Sequence, residues 1–521
     1  MFGFTTQTAM IRLFFAFLGL GSISLVLGQS NTVGVLLQTP SSFDGYTLMP
    51  VTSSGNTYLI DNCGQVVQSW TSDYNAGMMA YLRDDGCLVR AGRTGNPNFG
   101  AGGAGGIIEM FNWEGDLKWS YLMSNDSVCQ HHDLALLPNG HILALAWKSY
   151  EDDVWIAKGR DPDLTASVVW GTYIVELDPM ADPGEEIVWE WEALDHLVQD
   201  FDPTLPNYAP VASAPRQLDV NYQAGATDKD WLHANSIAYN AELDQILISS
   251  RDFNELWVID HDVPADLVSG PEGNLLYRWG NPEAYGRGTE EDRVFHSQHD
   301  ARWIANGQMM VFSNGNERLE GLYSTVELFT PPLLPNGTYG LDPEAAIGPA
   351  TTDRTYPPTL DADFFSQNTS GAQQLPNGNL LITEGASGAL REVNADDEVV
   401  WSYVNPMGIF GATSQFGNPV SNGVFKAERY SPDHPALVDR ELQGMGVLEI
   451  TNEPLLCTLY PAQDCSADLD GDYVVGISDL LLFLGQFGCD SNCQGDFNGN
   501  GIVGVGDLLA FLGNMGNTCA P

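Results

Sequence analysis

Short apolar segments separated by turn residues recur along most of the chain and predict a fold built from β-strands. Runs rich in β-branched and aromatic residues alternate with Asn-Gly, Asp-Gly and Pro turns. One unit reads HDLALLPNGHILALAW, TYIVELDP and EEIVWEWE, which is the length of four strands. About six such units predict an all-β, six-bladed β-propeller over residues 29–456. A parallel solenoid is the alternative, although its repeats are usually shorter.

Three of these units carry a histidine at the same position, seven residues before an asparagine. The pairs are His132 with Asn139, His233 with Asn240, and His299 with Asn306. Two other units keep this spacing without a histidine. Their pairs are Ser370 with Asn377 and Met78 with Asp85. The spacing therefore predicts a structural repeat, and the histidines are substituents at one position of it.

In a propeller, this repeated position is expected to lie at the central channel in every blade. The innermost strand of each blade lines the central channel, and the strand before the PNG-like turn is our candidate for it. Its first residue would lie near one mouth of the channel. We therefore predict that His132, His233 and His299 converge on one reaction centre. The alternative is a hydrogen-bonded structural role, which is usual for a single histidine.

Other aromatic and charged residues are expected to support the fold. Six tryptophans near the ends of the outer strands should pack between blades rather than form a ligand cage. They are Trp70, Trp119, Trp189, Trp191, Trp279 and Trp401. Five histidines lack the register of the trio and should be structural or exposed. They are His141, His196, His261, His296 and His434. Arg302 is expected to form a salt bridge between blades.

The composition indicates a folded and strongly acidic protein. Apolar residues make up 43% of the 521 positions and aromatic residues 10%, which is enough for a large core. The 68 acidic residues outnumber the 21 basic ones and give a formal charge of -47. Such a charge repels a phosphate backbone and argues against a nucleic-acid partner. An anionic substrate would need a local cluster of positive charge.

Residues 1–28 are typical of a secretory signal peptide. Arg12 supplies the positive charge, and LFFAFLGLGSISLVL supplies the apolar stretch. Val26 and Gly28 are the small residues before a cleavage site at Gln29. An uncleaved membrane anchor is the alternative, but the apolar run is short and contains Gly and Ser. The sequence predicts a secreted, periplasmic or cell-surface protein.

The composition changes after Leu456, and residues 457–521 contain two copies of a calcium-loop pattern, each followed by an apolar helix. The predicted ligands are Asp468, Asp470, Asp472, the carbonyl of Val474 and Asp479 in the first loop, and Asp496, Asn498, Asn500, the carbonyl of Ile502 and Asp507 in the second. The duplication, and an aspartate at the twelfth position, resemble dockerin domains. The resemblance implies an α-helical EF-hand-like module with structural Ca²⁺ and a cohesin-like or cell-surface partner.

An exported chain with eight cysteines is expected to form disulfides. Cys63 and Cys87 lie at glycine-containing turns and are candidates for a bridge between neighbouring strands. In the C-terminal module we expect one bridge around each loop. These predicted pairs are Cys465 with Cys489 and Cys493 with Cys519, although other connectivities are open. Zinc binding is the alternative, but the spacing matches no common zinc pattern.

Three segments of the repeats resemble the bacterial arylsulfate sulfotransferases. They are HHDLALLPNG, DWLHANSIAYN followed by ILISSRDFNELWVID, and QHDARW. The resemblance covers about residues 35–450, the whole of the predicted propeller. It implies catalytic roles at the positions that match the family's histidines and arginine. These are His132 or its neighbour His131, His233, Arg251 and His299.

The resemblance implies transfer of a sulfuryl group from an aryl sulfate to a phenolic acceptor without a nucleotide donor, and the chain contains no P-loop motif. The implied route is a ping-pong mechanism in which neutral His299 attacks sulfur and becomes sulfated. Arg251 would bind sulfuryl oxygens. His233 and His132 would donate hydrogen bonds, and one of them would protonate the leaving phenolate. No cofactor is required for this chemistry.

Two other functions fit parts of the same pattern. A non-catalytic propeller would bind a ligand or polysaccharide and be displayed through its calcium module. A metalloenzyme would use the three histidines as ligands of a transition metal. Against the metal, no carboxylate shares the register of the histidines, and Arg251 would repel a cation.

Overall fold

The structure is a computed structural model that describes residues 31–223, 229–451, 457, 459, 467–470, 475–489, 493–497 and 501–515. The predicted signal peptide, residues 1–28, lies outside the described residues. The predicted boundary after Leu456 also falls outside them and stays a prediction. Within the described ranges, no helix combines the length and the apolar character that crossing a membrane requires.

Strands account for most of the regular structure, as the alternating pattern predicts. In chain order they are β1 (Gly34–Gln38), β2 (Tyr46–Pro50), β3 (Asn56–Ile60), β4 (Val66–Thr71), β5 (Ala76–Leu82), β6 (Leu88–Arg93), β7 (Gly106–Phe111), β8 (Leu117–Leu122), β9 (Val128–Leu136), β10 (Ile142–Glu151), β11 (Val168–Leu177), β12 (Ile187–Glu192), β13 (Leu197–Val198), β14 (Leu218–Asp219), β15 (Ala234–Asn240), β16 (Gln245–Ser250), β17 (Glu255–Asp260), β18 (Tyr277–Trp279), β19 (His299–Trp303), β20 (Met309–Ser313), β21 (Thr325–Phe329), β22 (Arg354–Tyr356), β23 (Gly371–Gln374), β24 (Leu380–Glu384), β25 (Ala389–Val393), β26 (Val399–Val404), β27 (Met407–Gly408), β28 (Gly411–Ala412) and β29 (Glu428–Tyr430). The α-helices of the described residues are α1 (Asp152–Ala157), α2 (Ile477–Gly485) and α3 (Val505–Asn514).

Six antiparallel sheets form the blades, which confirms the predicted six-bladed propeller. From the inner to the outer strand, blade 1 is β29-β2-β3-β4, blade 2 is β5-β6-β7-β8, blade 3 is β9-β10-β11-β12, blade 4 is β15-β16-β17-β18, blade 5 is β19-β20-β21-β22, and blade 6 is β23-β24-β25-β26-β1. Neighbouring strands within each blade run antiparallel, so the parallel solenoid is excluded.

Both ends of the repeat region close the ring of blades. Strand β1, from the N-terminal side, pairs with β26 as a fifth, outer strand of blade 6. Strand β29, from the C-terminal side, pairs with β2 as the inner strand of blade 1. Each terminal segment therefore completes a blade that the other end of the chain begins, and the closure reduces free strand edges.

Indole N–H groups on the outer strands join neighbouring blades. Each donates to a main-chain carbonyl of the following blade, the partner that a buried indole needs. The bonds run from Trp70 to Asn112 (3.0 Å), Trp189 to Val263 (3.1 Å), Trp191 to Gly273 (2.9 Å), Trp279 to Pro349 (2.8 Å) and Trp401 to Asn62 (2.8 Å). The predicted packing role is confirmed for these five, whereas Trp119 is half-buried and stacks on Tyr121.

The position that the histidines share is a kink in the inner strand. In β5, β9, β15 and β19 the pairing with the next strand shifts register, as in a β-bulge. Left-handed backbone occurs there at Met78 (φ 101°), His132 (φ 51°), His233 (φ 42°) and Ser370 (φ 87°), and in blade 5 at Asp300 (φ 55°). A bulge re-aims a side chain, here toward the channel. The seven-residue spacing therefore marks a feature of the backbone. The blades that lack a histidine at this position share that feature.

A buried network of charges ties the inner strands together on the axis. Lys426, just before β29, donates to Asp133 Oδ2 at 3.0 Å and to Asp300 Oδ1 at 2.7 Å. Asp133 also accepts the main-chain N–H of Ile237 at 3.1 Å and the hydroxyl of Tyr81 at 3.0 Å. These contacts join blades 1 to 5. Because Asp133 and Asp300 directly follow His132 and His299 in sequence, the network also positions the histidine-bearing strands.

Arg302 completes this axial network and forms the interblade salt bridge that the sequence predicts. Its guanidinium contacts Asp300 Oδ2 at 2.8 Å and Glu428 Oε1, in blade 1, at 2.8 Å. Asp300 also accepts the main-chain N–H of Ala372 in blade 6 at 2.9 Å. All six inner strands therefore meet in one hydrogen-bonded cluster.

Cys63 forms a disulfide that the sequence does not predict. It bonds to Cys457, 394 residues later, with the two Cα atoms 5.6 Å apart. The candidate bridge to Cys87 is wrong, and Cys87 and Cys129 are free thiols. The reason is that Cys63 and Cys87 lie in turns of different blades, whereas the C-terminal segment returns beside the β3–β4 turn. The bond ties this segment to blade 1.

The described part of the C-terminal module contains α2 and α3 around a small aromatic core. Phe483 packs on Phe497 at 5.7 Å and on Phe511 at 5.5 Å between ring centroids. Cys489 bonds to Cys493, with Cα atoms 6.1 Å apart. The predicted pairs of these two with Cys465 and Cys519 are therefore wrong, because a local bridge between close neighbours uses both thiols. Cys465 and Cys519 themselves lie outside the described residues.

Candidate active site

Three consecutive blades bring the predicted histidines together. His132 lies in the bulge of β9, His233 immediately precedes β15, and His299 begins β19. The ring centroid of His132 is 4.9 Å from that of His233 and 6.4 Å from that of His299. His132 is 3% exposed and His299 is 2% exposed. The rings therefore meet in a space with little room for bulk water, where electrostatic contacts are strong.

Asn314 determines which nitrogen of His299 faces the site. The amide group of Asn314 donates to the carbonyls of Ser366 at 2.7 Å and Thr369 at 3.0 Å. Its Oδ1 therefore faces His299 and accepts the Nδ1–H at 2.7 Å, with the carbonyl of Ser297 as a second acceptor at 3.1 Å. A proton on Nδ1 leaves the lone pair of Nε2 free in the neutral ring. This is the tautomer that a nucleophilic Nε2 requires.

Burial keeps His299 uncharged. Desolvation, aided by the nearby charge of Arg251, lowers the pKa of His299 from 6.5 to about 3. The imidazole is therefore neutral across the physiological pH range. His299 is therefore the candidate nucleophile of the trio, because its ring is neutral, its tautomer is fixed and its Nε2 is unprotonated.

His233 has the opposite electrostatic setting. Burial lowers its pKa, but the carboxylate of Asp230, which accepts from Nδ1 at 2.7 Å, more than offsets this and raises the pKa above 6.5. Asp230 is itself held by the indole N–H of Trp147 at 2.8 Å. A histidine that carries a proton near neutral pH is suited to general acid catalysis.

His132, rather than His131, faces the site. His131 stacks on Trp147 with ring centroids 4.0 Å apart, and its Nδ1 is 2.8 Å from Nδ1 of His132. The main-chain N–H of His132 donates to the carbonyl of Gly103 at 2.8 Å. A Cβ on Gly103, where φ is +86°, would lie 2.0 Å from the His132 ring. Only glycine allows the 103 loop to pack on this ring.

Burial makes His132 a neutral member of the trio. Desolvation, together with the charges of His233 and His131, lowers the pKa of His132 well below 6.5. A neutral imidazole does not serve as a strong acid. It can still donate one hydrogen bond, from the nitrogen that His131 does not occupy.

Arg251 lies beside the histidines, directly after β16. Its main-chain N–H donates to the carbonyl of His233 at 3.2 Å, and its charge helps to lower the pKa of His132 and of His299. Asp252 accepts from Nη1 at 2.9 Å. Within the described residues the other guanidinium N–H groups have no acceptor, and 35% of the side chain is exposed. These donors are available to a ligand oxygen.

A cavity of about 200 Å³ adjoins the histidines and contains Arg251. Two of its lining residues bond to members of the trio, Asp230 to His233 and Ser297 to His299. The full lining is Arg160, Gln223, Asp230, Trp231, Arg251, Asp252, Asn254, Arg293, Ser297 and Glu317. We call it the arginine cavity, after Arg160, Arg251 and Arg293.

Apolar residues cover another side of the trio. The ring of Phe425 is 5.9 Å from that of His132 and 6.3 Å from that of His299. Phe425 packs with Met78, which occupies the histidine position of blade 2. These side chains exclude water from the histidines, and sequence reasoning did not identify Phe425 as part of the site.

The remaining histidines lie elsewhere. Four of the five make a side-chain contact typical of a structural or surface residue, as expected from their register. His141 and His261 both contact Glu176, at 2.6 Å and 3.1 Å. His196 stacks on Trp191 at 5.0 Å. His434 and His296 are half-buried, and His434 packs on the ring of Tyr430 at 4.9 Å.

The geometry does not favour the transition-metal hypothesis. Within the part of the chain that the structure describes, three ligand atoms lie within 4.8 Å of one another at Asp468, Asp470 and Asp479 of the C-terminal module. The histidine trio does not reach this spacing. Its neighbour is a guanidinium, which favours an oxyanion over a cation.

The comparisons with known proteins concern the propeller. The sequence model of the family described as Arylsulfotransferase (ASST) matches residues 31–407. No curated protein sequence matches the chain. Among solved structures, a protein of unknown function from Bacteroides caccae is 11% identical, covers 74% of this chain and 98% of its own, and has a TM-score of 0.40. A streptogramin B lyase is 11% identical, with coverage of 73% and 85% and a TM-score of 0.35. A catalytically inactive virginiamycin B lyase from Staphylococcus aureus, with quinupristin, is 10% identical, with coverage of 73% and 90% and a TM-score of 0.33.

Proposed function

The chain belongs to the arylsulfotransferase family, and on that premise we propose that it moves a sulfuryl group from an aryl sulfate to a phenolic acceptor through a sulfated His299. The observation that carries this proposal is the tautomer of His299, in which Asn314 accepts the Nδ1–H and leaves Nε2 unprotonated. Because the chain belongs to this family, we expect sulfotransferase activity. The unprotonated Nε2 supports a mechanism in which His299 is the nucleophile.

In the first half-reaction Nε2 of His299 attacks the sulfur of the aryl sulfate. A nitrogen–sulfur bond forms while the bond from sulfur to the phenolic oxygen breaks, and the oxygen leaves with the electron pair. Protonated His233 gives its proton to that oxygen, so the first product leaves as a phenol. The sulfuryl group stays on His299, and its Nδ1–H remains bonded to Asn314.

In the second half-reaction the acceptor phenol reverses these steps. Neutral His233 takes the proton of the acceptor hydroxyl, and the oxygen attacks sulfur. The nitrogen–sulfur bond breaks, and its electron pair returns to Nε2 of His299. Each product thus forms without a nucleotide or a metal in the reaction path, and the enzyme regains its starting protonation state.

Arg251 and His132 are placed to bind the sulfuryl oxygens, whose charge is redistributed during transfer. The guanidinium of Arg251 keeps N–H donors without a protein acceptor among the described residues. His132 adds a hydrogen bond from its neutral ring. Such fixed donors are effective in a site with little water. They also counter the formal charge of -47, which otherwise opposes an anionic substrate.

An assay with a chromogenic aryl sulfate tests the proposal. The protein would be incubated with para-nitrophenyl sulfate, with and without phenol. Turnover that requires phenol, and that yields phenyl sulfate, supports transfer. Sustained release without an acceptor would indicate a sulfatase instead. Absence of release, with bound ligand still detectable, would favour the non-catalytic binding propeller.

We expect the pH dependence of the first half-reaction to follow His233. Its protonated form is the acid, so the rate should fall as pH rises through its raised pKa. The fall should be steeper for phenyl sulfate than for para-nitrophenyl sulfate, whose leaving group needs less protonation. Asp230→Asn removes the carboxylate that raises this pKa, so the fall should move to lower pH. Rapid-quench rates over a pH series measure both effects, and an unmoved profile in the variant would contradict the role of His233.

We expect Asn314→Asp to introduce a limit on the acid side of the profile. A carboxylate next to Nδ1 stabilises the imidazolium, so the pKa of His299 should rise from its low value of about 3. Protonation removes the Nε2 lone pair, and kcat/KM should therefore decline as pH falls through the new pKa. Profiles of kcat/KM for both proteins measure this. An Asn314→Asp profile that overlays the wild type would show that Asn314 does not set the state of His299.

Export of the protein is part of the proposal. Residues 1–28 read as a signal peptide, and the bond between Cys63 and Cys457 gives independent support. Disulfides persist in oxidising compartments and are rare in the cytosol. We place the mature enzyme outside the cytoplasm, as a secreted, periplasmic or cell-surface protein.

We further propose that the C-terminal module binds structural Ca²⁺. Oxygens of Asp468, Asp470 and Asp479 lie within 4.8 Å of one another, a spacing that fits a hard cation. Asp479 also accepts the main-chain N–H groups of Leu469 at 2.7 Å and Gly476 at 2.7 Å, which fixes the loop around it. In the second loop, Asp507 accepts from the N–H of Gly504 at 2.9 Å. The predicted ligands Asp472, Val474, Asn498 and Asn500 lie outside the described residues.

We expect two Ca²⁺ ions to bind per chain, one in each loop. Asp468→Ala and Asp496→Ala should each reduce the stoichiometry to one, because a first-position carboxylate is lost. Calorimetric titration of the full chain measures this. Chelation should lower the melting temperature of the module and leave sulfuryl transfer unchanged. Loss of transfer on chelation would contradict a purely structural role.

The module also presents an apolar surface suited to a partner. On α2 and its C-terminal end, Ile477 is 70% exposed, Leu481 66% and Phe487 48%. We propose a cohesin-like or cell-surface protein as this partner, in line with the dockerin-like sequence pattern. Binding should then require Ca²⁺, which holds the helices in place.

A further inference from the structure

The arginine cavity brings three guanidinium groups together in an anionic protein, and three carboxylates also line it. Arg160 follows α1, Arg251 follows β16, and Arg293 precedes β19, so three distant parts of the chain contribute. The chain has 21 basic residues against 68 acidic ones. Three guanidinium groups in one cavity beside the histidines are therefore a marked local departure from the overall charge.

Two of the three arginines have an acidic partner, and the third does not. Arg251 contacts Asp252 at 2.9 Å, and Arg293 contacts Glu283 at 3.2 Å. Within the described residues no carboxylate lies within 4.0 Å of the guanidinium of Arg160. Its protein hydrogen bond is from Nη1 to the carbonyl of Val220, at 3.2 Å. Arg160 is therefore the arginine of the cavity that has no direct ion pair among the described residues. The charge of Asp219 raises its pKa, but by less than burial lowers it.

Burial makes this lack of a partner costly. Arg160 is 3% exposed, and its guanidinium lies over the rings of Trp231 at 5.0 Å and Trp155 at 6.0 Å. Burial lowers the pKa of Arg160 from 12.5 to about 10. Desolvating a cation that has no direct ion pair destabilises the fold. A cation kept in this position, with one face on a cavity, is suited to an anion that enters from outside.

The other acids of the lining leave this site open to an anion. Asp230 is engaged by His233 and by Trp147, and Glu317 has an exposed side chain. Neither is an ion-pair partner of Arg160. Trp231 offers a flat apolar wall next to the guanidinium, which suits an aromatic ring that carries the anionic group.

We propose that the arginine cavity is a subsite for a carboxylate, or a similar anionic group, carried on the aryl ring of the substrate. The inference rests on the proposed sulfuryl transfer and adds a substrate class to it, namely phenols that bear a second, acidic group. Arg160 is the principal binding residue, and Arg293 assists. The reacting oxygen would lie at the histidines, because the cavity adjoins them through Asp230 and Ser297.

The first test compares an acidic acceptor with its neutral analogue. Para-hydroxyphenylacetate and para-hydroxyphenylacetamide differ in charge but hardly in size. We expect kcat/KM to favour the acid by about tenfold, the effect of one charge-assisted contact. Arg160→Gln should abolish the preference, so that kcat/KM for the acid and kcat/KM for the amide become equal within the variant. Arg83→Gln, in the β5–β6 turn and away from the cavity, should keep the preference. Equal kcat/KM for acid and amide in the wild type would overturn the subsite for acceptors.

The second test is independent of catalysis. Calorimetry on His299→Ala, without a donor, compares binding of the same two phenols. We expect the His299→Ala variant to bind the acid more tightly than the amide, and the double variant His299→Ala, Arg160→Gln to bind both equally. This result supports the subsite even if transfer fails. Equal binding of acid and amide overturns it, whatever the outcome of the transfer assay. If Arg160→Gln does not fold, Arg160→Lys keeps the charge without the bidentate fork and should retain only part of the preference.

The third test distinguishes the donor from the acceptor. The burst of phenol release in the first half-reaction is measured with the sulfate esters of the acid and of the amide. A preference in this burst that depends on Arg160 places the acidic group on the donor. A preference confined to the second half-reaction places it on the acceptor. No preference in either half-reaction, together with equal binding, overturns the proposal.

Discussion

Replacement of His299 by alanine is expected to abolish sulfuryl transfer, with a loss of about four orders of magnitude or more in kcat/KM. The variant lacks the Nε2 lone pair, and no neighbouring group replaces it. His132 is neutral, but its Nδ1 is hydrogen-bonded to Nδ1 of His131. The Nδ1 of His233 is bonded to Asp230, and the pKa of His233 is raised. Both initial rates and single-turnover release of the first phenol should fall together.

The matched control for this loss is His434→Ala. His434 lies in a surface loop next to Tyr430, away from the trio. Its replacement should leave kcat/KM within about twofold of the wild type, because surface substitutions have small effects. Retention of more than a tenth of the activity in His299→Ala, with the fold intact, would rule out His299 as the nucleophile.

Replacement of Lys426 by methionine should destabilise the propeller by about 3–5 kcal/mol, the usual effect of removing one partner of a buried ion pair. Lys426 is 3% exposed and contacts Asp133 and Asp300. Burial lowers its pKa, but these two carboxylates raise it well above 10.5, so the ammonium is charged in the folded protein. The variant leaves the buried carboxylate of Asp133 without its cation, whereas Asp300 keeps Arg302. Urea denaturation of wild type and variant measures the difference in unfolding free energy.

The pH dependence of this loss has a defined sign. Burial already raises the pKa of Asp133 in the wild type, and loss of Lys426 should raise it further. A group whose pKa is higher in the folded state stabilises the fold at low pH and loses that effect as pH rises. The deficit of Lys426→Met should therefore be largest above the raised pKa of Asp133 and shrink as pH falls through it.

Two further variants separate the network from a general effect of removing lysine. Lys148 pairs with Glu192 and its side chain is 29% exposed. Lys148→Met should cost less than the loss of a buried partner, about 1 kcal/mol, because water reaches this pair. Asp133→Asn in the Lys426→Met chain should recover part of the loss, because it removes one buried charge. A Lys426→Met deficit as small as that of Lys148→Met would contradict the role of the axial network.

Much of the propeller is predictable from the seven-residue spacing, because a structural feature lies behind it. Met78 and Ser370 share the left-handed backbone of His132 and His233 although they share no chemistry with them. A kink that most inner strands share leaves a recurrent spacing in the sequence, whichever side chain occupies the position. Closure of blade 1 by β29 is harder to predict, since that strand has three residues and no periodic pattern.

The residues that support the site are harder to identify from the sequence, because the motifs that contain them usually indicate an ordinary structural element. Asn314 stands in SNGN, a pattern typical of a turn. Its role depends on carbonyls more than fifty residues later, in the segment that precedes blade 6. The repeated His-Asp pair does indicate the axial network in the sequence. Asp133 and Asp300 directly follow two of the histidines, and this repetition reflects the axial network.

The disulfides show a different limit of sequence reasoning. Cys63 and Cys457 are separated by 394 residues, and only the closed ring of blades brings them together. Spacing favoured a bridge around each calcium loop, whereas Cys489 and Cys493 bond to each other. Pairing depends on three-dimensional distance, which spacing alone does not determine.

Transfer through a sulfated His299 is tested most sharply by trapping the covalent intermediate. The protein would be mixed with an aryl sulfate in the absence of acceptor, quenched under alkaline conditions, and mapped by peptide mass spectrometry. We expect one added SO₃ group on the peptide that contains His299, and we expect it to disappear when phenol is supplied before the quench. Turnover without a modified histidine, or a sulfuryl group on any residue other than His299, would contradict this mechanism.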